Sequence, residues 1–199
     1  MIDTSLRVIP ATPEEWLGPL PIGRQFPQPD QPLEIDLGCG KGRFLLAHAA
    51  KHPDINFWGI DRMLRRIRKI DNRARRLDLT NIRLSRMEAY YATAYWVPPA
   101  SVQTYYIFFP DPWPKARHES HRLFNPVFLD ALYRTLRPDG RIHIATDHTP
   151  YFDQLSAIFA ADPRFAPTSI FAPPADEQTD FELYYVDKTP ISRLSLRRA

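Results

Sequence analysis

The chain of 199 residues has a single cysteine, Cys39, which excludes an intrachain disulfide and a cysteine-built zinc site. It has no apolar run long enough to span a bilayer. The opening residues, Met1-Ile2-Asp3-Thr4-Ser5-Leu6-Arg7, lack the basic-then-apolar layout of a secretory signal. A cytoplasmic protein with no membrane partner is therefore expected. The six histidines show no metal-like spacing, and His118 and His121 stand three apart with no cysteine near them, so no metal is expected. No Ser-His-Asp or Cys-His arrangement points to nucleophilic catalysis. Glycine is scarce, with 7 residues against 21 prolines, and no internal repeat is visible.

Hydrophobic residues at 44% and charged residues at 25% are ordinary for a globular chain, and the length suits one domain with a full core. A net charge of +3 is compatible with a polyanionic partner, but its placement matters more than its total. Seven prolines between residues 8 and 32 forbid regular helix or interior strand there. Residues 1–32 read as a proline-rich arm, and residues 33–199 as the domain.

From residue 33 onward the periodicity alternates between strand and helix. Strands are predicted at Leu33–Leu37, Asn56–Ile60, Ile82–Ser85, Thr104–Phe109, Arg141–Ala145 and Phe181–Val186. Helices are predicted at Arg43–Lys51, Met63–Leu77, Pro126–Leu136 and Tyr151–Ala161. Strict alternation implies βαβ units, hence an α/β fold around a mostly parallel sheet.

The best-defined motif is Glu34-Ile35-Asp36-Leu37-Gly38-Cys39-Gly40-Lys41-Gly42, a strand entering a G-x-G-x-G turn. Glycines there let the backbone turn sharply and let a ligand press against the main chain, which makes Gly38 and Gly40 candidate cofactor contacts. The third glycine comes one position earlier than in G-x-G-x-x-G, the dinucleotide fingerprint. Acidic residues before the turn repel a pyrophosphate but suit a ligand carrying an ammonium and a sulfonium, as S-adenosylmethionine does. Asp61 closes the second strand, 21 positions after Gly40, where an acid can accept hydrogen bonds from ribose hydroxyls. Glu88 follows the third strand and could reach the adenine region.

After the fourth strand comes Phe108-Phe109-Pro110-Asp111-Pro112-Trp113-Pro114-Lys115-Ala116-Arg117-His118. Asp111 falls in the crevice beyond the strand ends, between prolines that stiffen it and beside a Trp on which a flat base could stack. The doubled proline of D-P-P-Y, used to bind an exocyclic amine, is absent, which weakens an adenine-N6 reading.

This segment resembles the bacterial tRNA (guanine-N7)-methyltransferase family. Ala145-Thr146-Asp147 with Pro150-Tyr151 resembles the family's A-T-D-x-x-x-Y, and Thr179-Asp180-Phe181-Glu182 its T-K/R-F-E. The match runs in order from about Leu33 to Leu194. It implies a Rossmann-like class I methyltransferase with a mostly parallel seven-stranded sheet and helices on both faces. The implied cofactor is S-adenosyl-L-methionine, and the implied partner is tRNA, methylated at guanine 46 of the variable loop. The resemblance assigns Glu34, Asp61, Glu88 and Asp111 to the cofactor, with Asp111 also catalytic. It assigns Lys115, Asp147, Thr179, Asp180, Phe181 and Glu182 to substrate, and places Arg117, His118 and Arg122 on RNA. Proline precedes Lys115 where the family has His, Asp180 replaces a basic residue, and the usual basic N-terminal extension is here proline-rich. A monomer or homodimer with no obligate protein partner is expected. Asp147 or Glu182 is expected to read the guanine edge.

Arg62, Arg65, Arg66, Lys69, Arg73 and Arg76 recur at spacings of three and four and share one face of the second predicted helix. They read either as a solvated face or as a phosphate track. A second basic cluster, Lys115 to Arg122, lies beside the proposed active site. The rival readings are the same cofactor with a small-molecule or protein acceptor, a non-catalytic RNA-binding domain, and a nicotinamide oxidoreductase. Intact acids argue against the second rival and glycine spacing against the third.

Overall fold

Strands buried on both faces read as unbroken apolar runs, and β1 (Leu33–Leu37) and β2 (Asn56–Asp61) are buried at every position. The computed structural model describes residues 18–113, 122–185 and 189–199. Around those strands follow α1 (Arg43–Lys51), α2 (Leu64–Arg76), β3 (Ile82–Arg86), and α3 (Ala89–Tyr91), which runs into a π-helical turn at Ala92–Trp96. Then come β4 (Val102–Phe108), α4 (Pro126–Thr135), β5 (Leu136–Thr146), α5 (Thr149–Ala160), β6 (Phe165–Pro167), α6 (Asp180–Tyr185) and β7 (Ser192–Arg198).

The seven strands form one sheet in the order β3-β2-β1-β4-β5-β7-β6. The first five are parallel, and β7 runs antiparallel to both β5 and β6. Side-chain alternation divides the core between two faces. Ile35, Trp58, Ile60, Tyr105 and Ile107 pack with Phe128 and Leu132 of α4 and Tyr151, Leu155 and Phe159 of α5. On the other face Phe57, Ile82 and Leu84 pack with Leu45 and Leu46 of α1 and Ile67, Ile70 and Ala74 of α2. This is the Rossmann-like α/β layering that the alternation and the family resemblance predict. Among the described residues no helix is long and apolar enough to cross a membrane.

Residues 18–32 lie against the domain. Leu20, Ile22 and Phe26 are buried in the core of the α4/α5 face. Leu20 N donates to Trp96 O at 2.8 Å, and the Asn56 side chain donates to Gln28 O at 2.7 Å.

Four elements, α6, β5, β6 and β7, differ from the sequence prediction. Residues 181–185, predicted as strand, form α6. The cause is a capping box: Glu182 N donates to Thr179 Oγ1 at 3.0 Å, and Thr179 N donates back to Glu182 Oε2 at 2.7 Å. That local pairing overrides the strand preference of an aromatic-rich run. Strand β5 begins at Leu136 rather than Arg141, with a register shift on β4 between Val102 and Thr104 that takes up residues 137–140. Strands β6 and β7 complete the sheet and were not predicted as strands.

Candidate active site

In parallel sheets ligands bind beyond the carboxyl ends of the strands, where the strand order reverses. Here that point is β1, flanked by β2 on one side and β4 on the other. Two adjoining lobes open there, of about 640 and 560 Å³, within the size range of small-molecule sites. Gly38, Arg66, Phe108, Phe109 and Asp111 line both lobes.

The glycine turn forms the floor. Gly38 N and Cys39 N both donate to Ile60 O, at 2.8 and 3.0 Å, which ties the turn to the end of β2. Gly38 and Gly40 hold φ of +82° and +57°, a region that L side chains avoid. At Gly42, also left-handed, a Cβ would stand 2.6 Å from Ile70 Cγ1, so glycine is what lets α2 close against the turn.

Asp61 is buried at the end of β2 and organises the turn. Its Oδ2 accepts from Gly40 N and Arg66 Nη1, both at 3.1 Å, and its Oδ1 accepts from Met63 N at 2.7 Å. With Glu88, exposed just after β3, it borders the first lobe. Glu34 occupies a different place. Its carboxylate accepts from Thr104 Oγ1 and Tyr106 Oη, both at 2.8 Å, inside the sheet, and it lines neither lobe.

The acid of β1 that does face the second lobe is Asp36, two residues further on. Burial, with Asp61 nearby as the smaller cause, pushes its carboxyl up to about 8 from an ordinary value near 3.8. Among the described residues no cation pairs with it. Asp36 lies within the glycine-turn motif but is not among the residues that the sequence marks for the cofactor. The strand's alternation carried the signal, because positions 34 and 36 share a face and 36 is nearer the turn.

Asp111 is exposed at the seam of the lobes. Its loop is strained, since Phe109 and Trp113 on either side hold φ of +54° and +42°. Such conformers persist only when the surroundings fix them. Phe109 N donates to Ala145 O at 2.7 Å. Arg122 donates to Pro112 O at 3.0 Å and to Trp113 O at 3.3 Å, and it is itself held by Gln154 at 2.5 Å. Arg122, expected on RNA, thus clasps the Asp111 loop. Lys115, Arg117 and His118 lie outside the described residues.

Thr179, Asp180, Phe181 and Tyr184 wall the second lobe, with the Phe181 ring tilted by 31° against Phe109 at 4.3 Å between ring centroids. The wall is pinned to α1: Arg43 donates to Gln178 O at 3.0 Å, and Glu177 accepts from His48 at 2.6 Å and from Lys51 at 2.8 Å. Burial lowers the His48 pKa despite the acids beside it. Both oxygens of Glu182 are engaged, one by Thr179 N and the other by Arg193. Asp147 is half-buried in the turn after β5, outside the lining of both lobes.

A family described as "Putative methyltransferase" matches residues 30–182. A tRNA (guanine-N(7)-)-methyltransferase of Nocardia farcinica is 39% identical over 142 residues, 71% of this chain and 51% of that one. Its counterpart in Halorhodospira halophila is 35% identical over 156 residues, 76% of this chain and 68% of that one. The chain therefore spans about half to two thirds of these relatives' length. The crystal structure of the 16S rRNA methyltransferase KamB superposes with a TM-score of 0.63 at 14% identity, over 85% of this chain and 88% of that one. That likeness concerns the fold alone.

Proposed function

The chain belongs to the tRNA (guanine-N7)-methyltransferase family, and from that premise we propose that it transfers a methyl group from S-adenosylmethionine to N7 of a guanine in tRNA, guanine 46 of the variable loop. The observation that carries this reading is the place of Asp111. It stands at the seam between a lobe edged by strand-end acids and a lobe walled by aromatic rings.

The crevice fits the sulfonium ligand. A Cβ at Gly38 would meet nothing within 4 Å, and one at Gly40 only a main-chain oxygen at 3.8 Å, so the turn faces space that a ligand can fill down to the backbone. Asp36 offers a buried carboxyl with no cation paired to it among the described residues, a place that an amino acid's ammonium would fill. When bound, the ligand supplies an electrophilic methyl on a sulfonium. Asp36 and the turn hold its amino-acid end, while Asp61 and Glu88 hold ribose and adenine. Glu34 acts by ordering β1 against β4 through Thr104 and Tyr106 rather than by touching the ligand.

Guanine N7 carries an exposed lone pair, so no proton has to leave before attack. Catalysis then rests on alignment and on stabilising the positive charge that develops on the purine. The Asp111 carboxylate serves the second task, and the loop clasped by Arg122 serves the first. Phe109 and Phe181 give the base a stacking wall, a contact worth about 1–3 kcal/mol in single-strand recognition. Asp147, half-buried in the turn after β5 and assigned to substrate by the family resemblance, accepts from guanine N1–H and N2–H₂, an edge that adenine does not present. Glu182 supports the wall, since its oxygens are already committed. Lys115, Arg117 and His118 stay on the RNA side of this proposal through the resemblance alone.

The test is transfer of labelled methyl into an unmodified tRNA transcript, followed by cleavage specific for 7-methylguanosine. A single cut in the variable loop, lost in Asp111→Ala, is expected. S-adenosylmethionine binding with no cut in any tRNA would overturn the acceptor assignment.

A further inference from the structure

Eight cationic side chains and one acid lie between residues 62 and 76, in a chain whose net charge is only +3. Within that group Arg62, Arg65, Arg66, Lys69, Arg73 and Arg76 fall inside an arc of about 100° on α2 and the residues that precede it, given 3.6 residues per turn. The single acid, Asp71, lies on another side and pairs with Arg75 at 3.0 Å. The arc of Ile67, Ile70 and Ala74 is fully buried against β2 and β3.

The usual solvated helix face mixes signs, so that residues three and four apart attract. This stripe contains no acid, and like charges three and four apart repel along its length. Arg66 pairs with Asp61 at 3.1 Å, and Arg73 donates to Lys41 O at 3.2 Å. Arg62, Arg65, Lys69 and Arg76 are exposed and make no ion pair among the described residues. The stripe starts at the site. Arg62 and Arg66 line the first lobe, Arg66 also lines the second, and Arg73 reaches the glycine turn. At 1.5 Å per residue it runs about 20 Å from that rim.

We propose that this stripe is a phosphate track that holds the sugar-phosphate backbone of the substrate RNA alongside the crevice. The inference rests on the tRNA reading above and adds where the backbone lies. A membrane surface is disfavoured because the helix has spent its apolar arc on the core, leaving no apolar face to insert beside the charges. Phosphate binding by cations of this kind releases counterions, so it carries a salt signature.

The test compares wild type with the triple variant Arg65→Gln, Lys69→Gln, Arg76→Gln, all exposed and outside both lobes. A second triple, Arg137→Gln, Arg141→Gln, Arg197→Gln, removes the same charge from exposed positions on β5 and β7, across the sheet from the stripe. The expected result for the first triple is a KM for tRNA raised at least about tenfold. The slope of log affinity against log salt should become shallower by about 2, near the value for three lost phosphate contacts. Its S-adenosylmethionine affinity and its kcat at saturating tRNA should match wild type, which also reports an intact fold. The second triple should keep the wild-type KM and slope. Equal tRNA KM and equal salt slope in wild type and first triple would overturn the track. So would loss of binding to phosphatidylglycerol vesicles, but not to tRNA, in the first triple. Wild type that binds S-adenosylmethionine but neither binds nor methylates tRNA would overturn the tRNA reading itself, and the track with it.

Discussion

Replacing Asp36 with Asn separates what the fold wants from what the ligand wants. The Asp36 carboxyl is buried and pushed up to about 8 from near 3.8, first by burial and then by Asp61. Between those two values the folded protein holds a proton that the unfolded chain has released. Wild-type stability therefore falls as pH rises through that window, at up to about 1.4 kcal/mol per unit. At pH 7 the accumulated cost is about 4 kcal/mol. Asn does not titrate and escapes it, but its amide is desolvated in the same place at a cost of about 1–3 kcal/mol. The variant should therefore be more stable than wild type at pH 7 by about 1–3 kcal/mol, and near parity at pH 5. For a chain of this length that is a rise in Tm of about 2–10 °C at pH 7. The assay is thermal unfolding of ligand-free protein at half-unit steps from pH 5 to pH 8. With S-adenosylmethionine the order should invert, because the ligand's ammonium loses its counter-charge and the ligand-induced rise in Tm shrinks. Parallel stability curves for the two proteins across the window would refute the reasoning, since the amide term alone has no pH dependence.

Gly42→Ala places a Cβ 2.6 Å from Ile70 Cγ1 at a φ of +73°, and should cost about 2–4 kcal/mol in denaturant unfolding. Thr179→Ala removes half of a capping box and should cost about 0.5–2 kcal/mol. Faster amide exchange in α6 and a lower kcat/KM for tRNA should accompany it, with S-adenosylmethionine affinity unchanged. Arg122→Ala releases the carbonyls of Pro112 and Trp113 and lets the Asp111 loop relax from its strained backbone. It should lower kcat by about 10–100-fold while leaving cofactor affinity within about twofold.

The parallel half of the sheet was legible because its strands are buried on both faces and because glycine and proline punctuate their ends. The turn at Gly38–Gly42 and the acid Asp61 follow from spacing, and the structure joins them through the Gly40 N–H bond to Asp61. Less legible was the division of labour among acids. Glu34 and Asp36 are equivalent to a pattern of residue types, yet two hydroxyls from β4 claim the first and leave the second facing the lobe. Residues 181–185 misled because strand propensity is tertiary in origin, whereas a reciprocal Thr–Glu cap acts within four residues. Strand β7 was missed for the opposite reason. Its three arginines and two serines leave neither an apolar run nor an alternation to read, and only the adjacent Ser195 and Leu196 are buried.

The two sides of the crevice are built on different parts of the sheet. The glycine turn and Asp61 sit on β1 and β2, strands joined by one short helix, whose pairings are local in sequence and quick to form. The aromatic wall sits on the connection from β6 to β7, and β7 meets the parallel strands by reaching back to β5, with Leu196 beside Ile142. Arg193, which holds Glu182 and so the wall, is part of that strand and pairs with Ala145. A partial opening that peels β7 from β5 would dissolve the wall and leave the turn standing. Native-state hydrogen exchange should therefore find the acceptor side opening at a lower free energy than the floor. The residues proposed to admit the RNA base would then also be those whose order is easiest to lose.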